Sequence, residues 1–243
     1  MATFPPPDLL SSRQVVIVTD QILSPANFLL HRTLASHFKD HKDARCIVLL
    51  VSESISRWNA IASRATVNLA ALIESQALRF LDMVKDIQPH LGTDDSTRST
   101  LIRSLLQEQG DAQADQPTLI LLDDISTLEW MGYATNELVK FLRALSILAR
   151  KGNASLVVRH HVITPDTPDV LFRFLLQLCT YHIDVRPLSS GRSGAVNGEI
   201  SLYRGPSNGT AHVKTTPRQR AVQYRLTDAT AVYFEKGTGQ AVL

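Results

Sequence analysis

The chain has 243 residues, of which 44% are hydrophobic and 20% are charged, and its formal net charge is +2 at pH 7. This balance is typical of a globular protein and excludes collagen-like and intrinsically disordered chains. No apolar run reaches the roughly 18 residues of a membrane span, and the N-terminal segment MATFPPPDLLSS lacks the charged start and apolar stretch of a secretory signal. We therefore expect a cytoplasmic or nuclear protein, with Cys46 and Cys179 as reduced, buried thiols.

Short runs of apolar residues predict β-strands. Four of them are nearly continuous rather than alternating, which is typical of strands buried on both faces. These are QVVIVTD (14–20), RCIVLLVS (45–52), TLILLDD (118–124) and SLVVRH (155–160), and a fifth run is LRFLDMV (78–84). Helices are predicted over 25–38, 54–64, 97–108, 135–152 and 168–177. Strands that alternate with helices predict an α/β fold, in which helices cover both faces of a mostly parallel sheet.

The segment 135–152 carries the clearest helix pattern. Thr135 or Asn136 is a candidate N-cap, and Gly152 follows the last turn as a stop signal. The apolar positions of this helix share one face, which consists of Leu138, Leu142, Leu145 and Ala149.

The pattern changes after Arg186. The segment SSGRSGAVNG is rich in Gly and Ser, and three strand-like runs follow it, EISLYRG, AVQYRLTD and TAVYFEKG. We expect these runs to add antiparallel strands to the edge of the sheet. The prediction is a single domain over 1–243, with an N-terminal extension (1–12) and a β-rich C-terminal extension (187–243). Two polar stretches are predicted as mobile loops, 92–98 and 109–117.

The first strand leads into a loop and a helix, which is the layout in which many proteins hold a nucleoside triphosphate. A P-loop follows GxxxxGK[ST], in which glycines let backbone amides surround the phosphates, lysine supplies charge and the hydroxyl holds magnesium. Here Asp20 replaces the first glycine, Pro25 lacks an amide and Ala26 replaces the lysine. No shift of register restores a lysine or a glycine. We therefore predict a degenerate phosphate loop that binds no nucleotide, formed by Asp20, Ser24, Pro25, Ala26 and Asn27.

Two further features of this layout have structural interpretations. Ser24 followed by Pro25 is typical of a helix N-cap and first helical position. Asp123 and Asp124 end a buried strand, as does the magnesium-orienting acid of P-loop enzymes. Because the loop upstream is degenerate, we interpret them as a vestigial Walker B pair whose carboxylates cap the next turn or face solvent. No cofactor is predicted.

No catalytic or metal site is predicted. His160 and His161 follow a buried strand, but neighbours on an extended segment point to opposite sides and do not readily share a metal. The chain has no GxSxG motif, and both cysteines lie inside apolar runs rather than on an exposed turn. No nucleophile, base and oxyanion hole can be assigned together.

Aromatic and apolar residues offer candidate contacts. Aromatic rings are able to stack on bases, but scattered rings are more typical of core or interface positions. The rings considered are Trp58, Trp130, Tyr133, Tyr203 and Tyr224. An apolar cluster just after the strand 118–124, if exposed, predicts a subunit contact. It consists of Ile125, Leu128, Trp130 and Met131.

Positive charge is concentrated between Arg186 and Arg225. This stretch has seven basic residues and one acid, Glu199. A local surplus of this kind attracts phosphate backbones, and it is also typical of a solvated, loop-rich face. The candidate tRNA or interface contacts are Arg186, Arg192, Lys214, Arg218 and Arg220.

Four stretches carry a resemblance to a known family, namely TDQILSPANFLLHRTL, LILLDDISTLEWMG, SLVVRHH and VQYRLTDATAVYFEKGTGQAVL. They resemble the Elongator complex protein 6 family, and the resemblance covers about 14–243. It implies a RecA-like ATPase fold without the usual nucleotide motifs. It also implies a non-catalytic subunit that assembles with Elongator subunits 4 and 5 into a ring of two heterotrimers, alongside the remaining Elongator subunits. In the family this ring binds tRNA and supports wobble uridine modification (mcm5U, mcm5s2U, ncm5U) by a separate catalytic subunit.

No catalytic residue carries over from the family. Ring ATPases often insert an arginine into the neighbouring subunit's site, and Arg159 is a candidate for this by position. The sequence leaves two other functions open. One is an active RecA-type ATPase with an unorthodox phosphate loop, and the other is an RNA-binding module that uses the basic stretch.

Overall fold

The computed structural model describes residues 4–10, 13–87, 116–165, 167–188, 191, 196–207, 213–227 and 230–236, apart from the side chains of residues 86 and 87. The strands in this part of the chain are β1 (Val15–Asp20), β2 (Arg45–Leu50), β3 (Leu78–Asp82), β4 (Thr118–Leu122), β5 (Ala154–His161), β6 (Tyr181–Arg186), β7 (Gly198–Arg204), β8 (Val222–Leu226) and β9 (Ala231–Glu235). They form one sheet in the order β3-β2-β4-β5-β1-β6-β7-β8-β9. The first six strands are mutually parallel, and β7 to β9 continue the sheet in antiparallel fashion.

Helices pack on both faces of the sheet. They are α1 (Asn27–Asp40), α2 (Ile55–Arg64), α3 (Leu69–Glu74), α4 (Ile125–Trp130), α5 (Thr135–Lys151) and α6 (Val170–Leu178). Shorter helical turns lie at Pro7–Leu10, Met83–Ile87 and Arg218–Arg220. Because successive strand residues point to opposite faces, Val16 and Val18 pack with α1 to α3, whereas Val15 and Ile17 pack with α4 to α6.

This architecture confirms the predicted fold class. All five predicted strands before Arg186 are present, and the predicted helices 25–38, 54–64, 135–152 and 168–177 correspond to α1, α2, α5 and α6. The predicted apolar face of α5 is buried. The predicted helix 97–108 and loop 92–98 lie outside the described residues, as does the loop 109–117 except for its last two residues.

Among the strands and α-helices in the described part of the chain, β6, α3 and α4 were not predicted. The sequence of β6, YHIDVR, alternates between polar and apolar residues, because only Tyr181, Ile183 and Val185 face an apolar core. A search for continuous apolar runs therefore passes over it. Helices α3 and α4 have six residues each, which is too short to display a helical period.

Two predicted helix caps are wrong. Helix α1 begins at Asn27, not after Ser24, because the Ser24 amide donates to the Gln21 carbonyl at 2.8 Å and the resulting turn directs the Ser24 hydroxyl away from the helix. Helix α5 has Ala134 at its N-cap, and the hydroxyl of Thr135 instead donates to Oε1 of Glu129 at 2.7 Å. In both places the side chain that the sequence pattern predicted as a cap forms a hydrogen bond with another part of the chain instead.

Both cysteines are free and buried. Burial raises the pKa of both thiols, that of Cys179 to about 11. Across the described ranges, none of the helices combines the length and the apolar character that a membrane crossing requires.

Candidate functional site at the carboxyl edge of the sheet

Three strands bring charged side chains together where they end. Asp20 ends β1, Asp123 and Asp124 follow β4, and Arg159 lies near the end of β5. The Nε of Arg159 donates to the carbonyl oxygen of Asp123 at 2.6 Å. Its Nη1 lies 3.5 Å from Oδ2 of Asp20, and its Nη2 lies 3.7 Å from Oδ2 of Asp124. We call these four residues the Arg159 cluster.

The Arg159 cluster is sealed from solvent. Asp20 is 0% exposed and Arg159 is 4% exposed. On one side, Nη2 of Arg159 donates to Oγ of Ser52 at 3.1 Å. On the other side, Nδ1 of His161 contacts Oδ1 of Asp20, and Nε2 of His161 lies 3.5 Å from Oδ2 of Asp124. Because a buried carboxylate is costly unless it is paired, Arg159 is the cation that offsets the burial of these acids.

The carboxylate of Asp123 also holds the segment after β2. It accepts hydrogen bonds from the amides of Val51 at 2.7 Å, Ser52 at 3.2 Å and Glu53 at 2.9 Å. Burial raises the pKa of Asp123 to about 6, and the three amides and the charge of Arg159 act in the opposite direction. Because this pKa is raised, the folded state loses stability as the pH rises from 3.8 towards 6.

The loop between β1 and α1 is bound by the protein itself. The Ala26 amide donates to Oδ2 of Asp20 at 2.6 Å, and the Ser24 amide donates to the Gln21 carbonyl. Pro25 has no amide. The Ser24 hydroxyl donates to the carbonyl of Asn197 at 3.2 Å. Ser24, Pro25 and Ala26 therefore have no free amide to offer to a phosphate.

A second polar network lies beside this loop and centres on Glu53. Its carboxylate accepts from Nδ2 of Asn27 at 2.9 Å and from Nε of Arg57 at 2.8 Å, and it lies 2.8 Å from Nε2 of His31. Burial acts to raise the pKa of Glu53, but the contacts with His31, Asn27 and Arg57 outweigh it and lower the pKa to about 2. The Glu53 side chain, 9% exposed, thus ties the start of α1 to the start of α2.

We expect Glu53→Gln to lower the free energy of unfolding by about 3 kcal/mol at pH 7, because a pKa drop from 4.5 to about 2 is worth about 1.4 kcal/mol per unit. This contribution is present above pH 4.5 and is lost as the pH falls towards 2. Urea unfolding at a series of pH values measures it. Glu74→Gln, at an exposed site, is the matched control. Equal acid sensitivity of the wild type and Glu53→Gln would contradict the prediction.

His160 belongs to a separate buried group. Its Nδ1 lies 2.8 Å from Oγ of Ser126, and its Nε2 lies 3.2 Å from Oδ2 of Asp169. The residue types match a Ser-His-Asp triad, but the Ser126 hydroxyl also accepts from the His161 amide at 2.8 Å, and His160 is 0% exposed. Ser126 is itself 1% exposed, so its hydroxyl is buried and held by hydrogen bonds within the chain.

Burial lowers the pKa of His160, with Asp169 acting in the opposite direction. Within the described part of the chain, no group of three or more His, Cys, Asp or Glu side chains is arranged to hold a metal ion. His160 and His161 point to opposite sides, as expected for neighbours on a strand.

Comparison with known proteins identifies the family. The profile of the family described as Elongation complex protein 6 matches residues 97–228, just over half of the chain. The chain belongs to the Elongator complex protein 6 family. It is 25% identical to Elongator complex protein 6 of Danio rerio over an alignment of 270 positions, which covers 99% of this chain and 95% of that protein. The human protein of the same name is 24% identical over an alignment of 261 positions, which covers 98% of this chain and 96% of the human protein.

The solved structures show the fold of this family member. A KaiC-like protein from the archaeon Pyrococcus horikoshii superposes with a TM-score of 0.63 at 6% sequence identity, covering 93% of this chain and 94% of that chain. The fold is therefore RecA-like. In such open α/β sheets, ligands bind outside the carboxyl ends of the strands, and in this member of the Elongator complex protein 6 family that place is occupied by the Arg159 cluster.

The position of Arg159 does not favour a role in a neighbouring subunit's site. Its guanidinium is buried and contacts Asp20, Asp123 and Asp124 of its own chain. A contact with another chain would require these buried contacts to break.

Asp124 has the structural role of a strand-end carboxylate, because its Oδ1 accepts from the Ser126 amide at 2.9 Å and caps α4.

The basic candidates fall in different places. Arg186 is half-buried at the carboxyl end of β6, where its Nε donates to Oδ2 of Asp184 at 2.6 Å. Lys214, Arg218 and Arg220 are exposed beside β7. Arg192 lies outside the described residues.

The aromatic and apolar candidates divide between core and surface. Trp58 and Tyr224 are 0% exposed and belong to the core, and Tyr133 and Tyr203 are half-buried. The cluster after β4 also divides, because Ile125 and Leu128 are fully buried whereas Trp130 and Met131 are 53% and 48% exposed. The predicted contact is thus confined to Trp130 and Met131.

Sequence reasoning also missed exposed apolar residues in the segments that follow β1 and β5. Ile22 and Leu23 are 78% and 64% exposed in the loop after β1, and Ile163 is 62% exposed just after β5. The Trp130 ring stacks on His161 at a centroid distance of 5.7 Å, and the Val162 amide donates to the Asp20 carbonyl, so the segments after β4 and β1 each contact the end of β5. Two adjacent apolar residues in a loop between a strand and a helix were the available signal. We call Ile22, Leu23, Trp130, Met131 and Ile163 the carboxyl-edge apolar surface.

Proposed function

We propose that this chain is a non-catalytic scaffold subunit of the Elongator complex. It assembles with Elongator subunits 4 and 5 into a hexameric ring of two heterotrimers. The ring binds tRNA and supports wobble uridine modification (mcm5U, mcm5s2U, ncm5U) by a separate catalytic subunit. The protein acts in the cytoplasm and in the nucleus, and it needs no cofactor of its own.

The Arg159 cluster is the observation that carries the non-catalytic role. A working phosphate site needs free amides, a lysine and a magnesium-orienting acid. Here Ala26 replaces the lysine, its amide is bound by Asp20, and Asp123 and Asp124 lie beside the guanidinium of Arg159. A triphosphate would place further negative charge next to buried carboxylates. This arrangement argues against the alternative of an active ATPase.

The carboxyl-edge apolar surface supports assembly. Monomeric proteins rarely leave contiguous large apolar side chains in water, and such patches mark contact sites. Interface hot spots are enriched in tryptophan, and Trp130 is half exposed on this surface. We propose that a neighbouring RecA-like subunit covers it, above the sealed Arg159 cluster.

Native mass spectrometry of the chain co-expressed with subunits 4 and 5 tests this function. We expect a complex with one copy of each subunit and a second species of twice that mass. Recovery of this chain as a monomer beside a complex of subunits 4 and 5 alone would contradict the proposal. Wild-type protein at low and high salt should give the same result, since the contact proposed is apolar.

A further inference from the structure

Four basic residues lie on β7 or on the segments that contact it. Arg204 ends β7, and Lys214 lies on the segment that pairs with β7 through the bridge between Leu202 and Thr216. Arg218 and Arg220 form the helical turn that follows and contacts β7. All four are exposed. We call Arg204, Lys214, Arg218 and Arg220 the β7 basic cluster.

The backbone that carries this cluster is held by hydrogen bonds. Thr216 and Leu202 exchange two of them, at 2.8 and 2.9 Å. The Val213 amide donates to Oη of the buried Tyr181 at 3.2 Å, and the Arg220 amide donates to the Pro217 carbonyl at 2.8 Å. The four charges are therefore displayed on an ordered support, which reduces the entropy lost when a ligand binds them.

The charges of the β7 basic cluster are not neutralised locally. The sequence from 200 to 227 contains no Asp or Glu. Within the described residues, none of the four forms an ion pair. Arg186 differs, because Asp184 holds it. Arg150 and Lys151 also differ, since they lie in the last turn of α5, where cations stabilise the helix dipole.

From these observations we infer that the β7 basic cluster binds the phosphate backbone of RNA. Three of its members are arginines, whose planar guanidinium groups donate two parallel hydrogen bonds to a phosphate. Among the described residues from 171 to 225, none of the large apolar side chains is strongly exposed, so this part of the surface lacks the apolar residues that insert into a lipid surface. The choice of RNA rests on the proposed function, whereas the location of the surface rests on the structure alone.

Fluorescence anisotropy of a labelled tRNA transcript, measured from low to moderate salt, tests this surface. We expect the double variant Arg218→Ala/Arg220→Ala, and separately Arg204→Ala/Lys214→Ala, to weaken binding by the assembled complex. Each pair should reduce the slope of log affinity against log salt by about 2, which is about 1 per phosphate contact removed. Arg218→Lys/Arg220→Lys should retain most of the slope, because point charges still release counterions.

The control pair is Arg150→Ala/Lys151→Ala, which removes the same charge from the exposed last turn of α5. An unchanged slope in both cluster pairs, or an equal loss in the control pair, would overturn the inference. A labelled poly-glutamate peptide serves as a competing polyanion, and tighter binding of it than of tRNA would assign the surface to an acidic protein instead. Native mass spectrometry of the same samples separates the two proposals. If no complex forms, the proposed assembly with subunits 4 and 5 is wrong. The same anisotropy titration of the isolated chain and its variants then tests whether the β7 basic cluster binds RNA.

Discussion

Arg159→Ala is expected to lower the free energy of unfolding by about 3 to 5 kcal/mol, because it leaves a buried set of acids without their cation. Asp20 is 0% exposed and Asp123 and Asp124 are each 1% exposed. Urea unfolding at pH 8 measures the loss. The loss should be smaller at pH 5. Without the charge of Arg159 the pKa of Asp123, already raised to about 6 by burial, rises further and the group is protonated.

Arg57→Ala is the matched control for this experiment. It also removes an arginine from an ion pair, with Glu53 at 2.8 Å, but the Arg57 side chain is 57% exposed. Exposed pairs contribute about 0 to 1 kcal/mol. If Arg159→Ala cost no more than Arg57→Ala, or the same at pH 5 and pH 8, the Arg159 cluster would not be the charge-paired core of the carboxyl edge.

Trp130→Asp should weaken assembly with subunits 4 and 5. A buried tryptophan at an interface contributes about 2 to 4 kcal/mol, and a carboxylate in its place adds a desolvation cost, so the affinity should fall by about 30-fold or more. Ile22→Asp, on the same surface, should act in the same direction. Size-exclusion chromatography and native mass spectrometry of the co-expressed subunits measure the loss.

Ile147→Asp is the control for Trp130→Asp. Ile147 is 47% exposed, but it lies on α5 rather than on the carboxyl-edge apolar surface. All three variants should unfold at urea concentrations near that of the wild type, because the replaced side chains are at least 47% exposed. An affinity that Trp130→Asp leaves unchanged, or that Ile147→Asp lowers equally, would place the subunit contact elsewhere.

The parts of the fold that depend on local pattern were predictable from the sequence. Continuous apolar runs marked the strands that are buried on both faces, and the spacing of Leu138, Leu142 and Leu145 marked the buried face of α5. Strand β6 broke this rule. Its residues His182 and Asp184 face away from the apolar core, and His182 instead approaches Oγ1 of Thr19 at 2.7 Å. Burial lowers the pKa of His182 to about 4, so the ring is neutral near pH 7.

The candidate site was predictable only as an absence. The missing lysine and glycines of the phosphate loop are visible in the sequence, but the residues that fill the site are not. Arg159 and Asp20 are 139 positions apart, and only the pairing of β1 with β5 brings them together. The Ser24-Pro25 pattern wrongly predicted a helix N-cap for the same reason, because Ser24 contacts Asn197, which is 173 positions away in the sequence. Contacts between residues this far apart produce no periodic pattern in the sequence.

Isothermal titration of the isolated chain with magnesium ATP tests whether the protein's own side chains occupy the place of the nucleotide. We expect no saturable heat at about 1 mM ATP, so that any binding is weaker than about 4 kcal/mol in free energy. The same titration of Arg159→Ala should also be flat, because removal of the cation leaves only acids at the site. A saturable isotherm of one ATP per wild-type chain, with a Kd below about 0.1 mM (about 5.5 kcal/mol), would contradict the account.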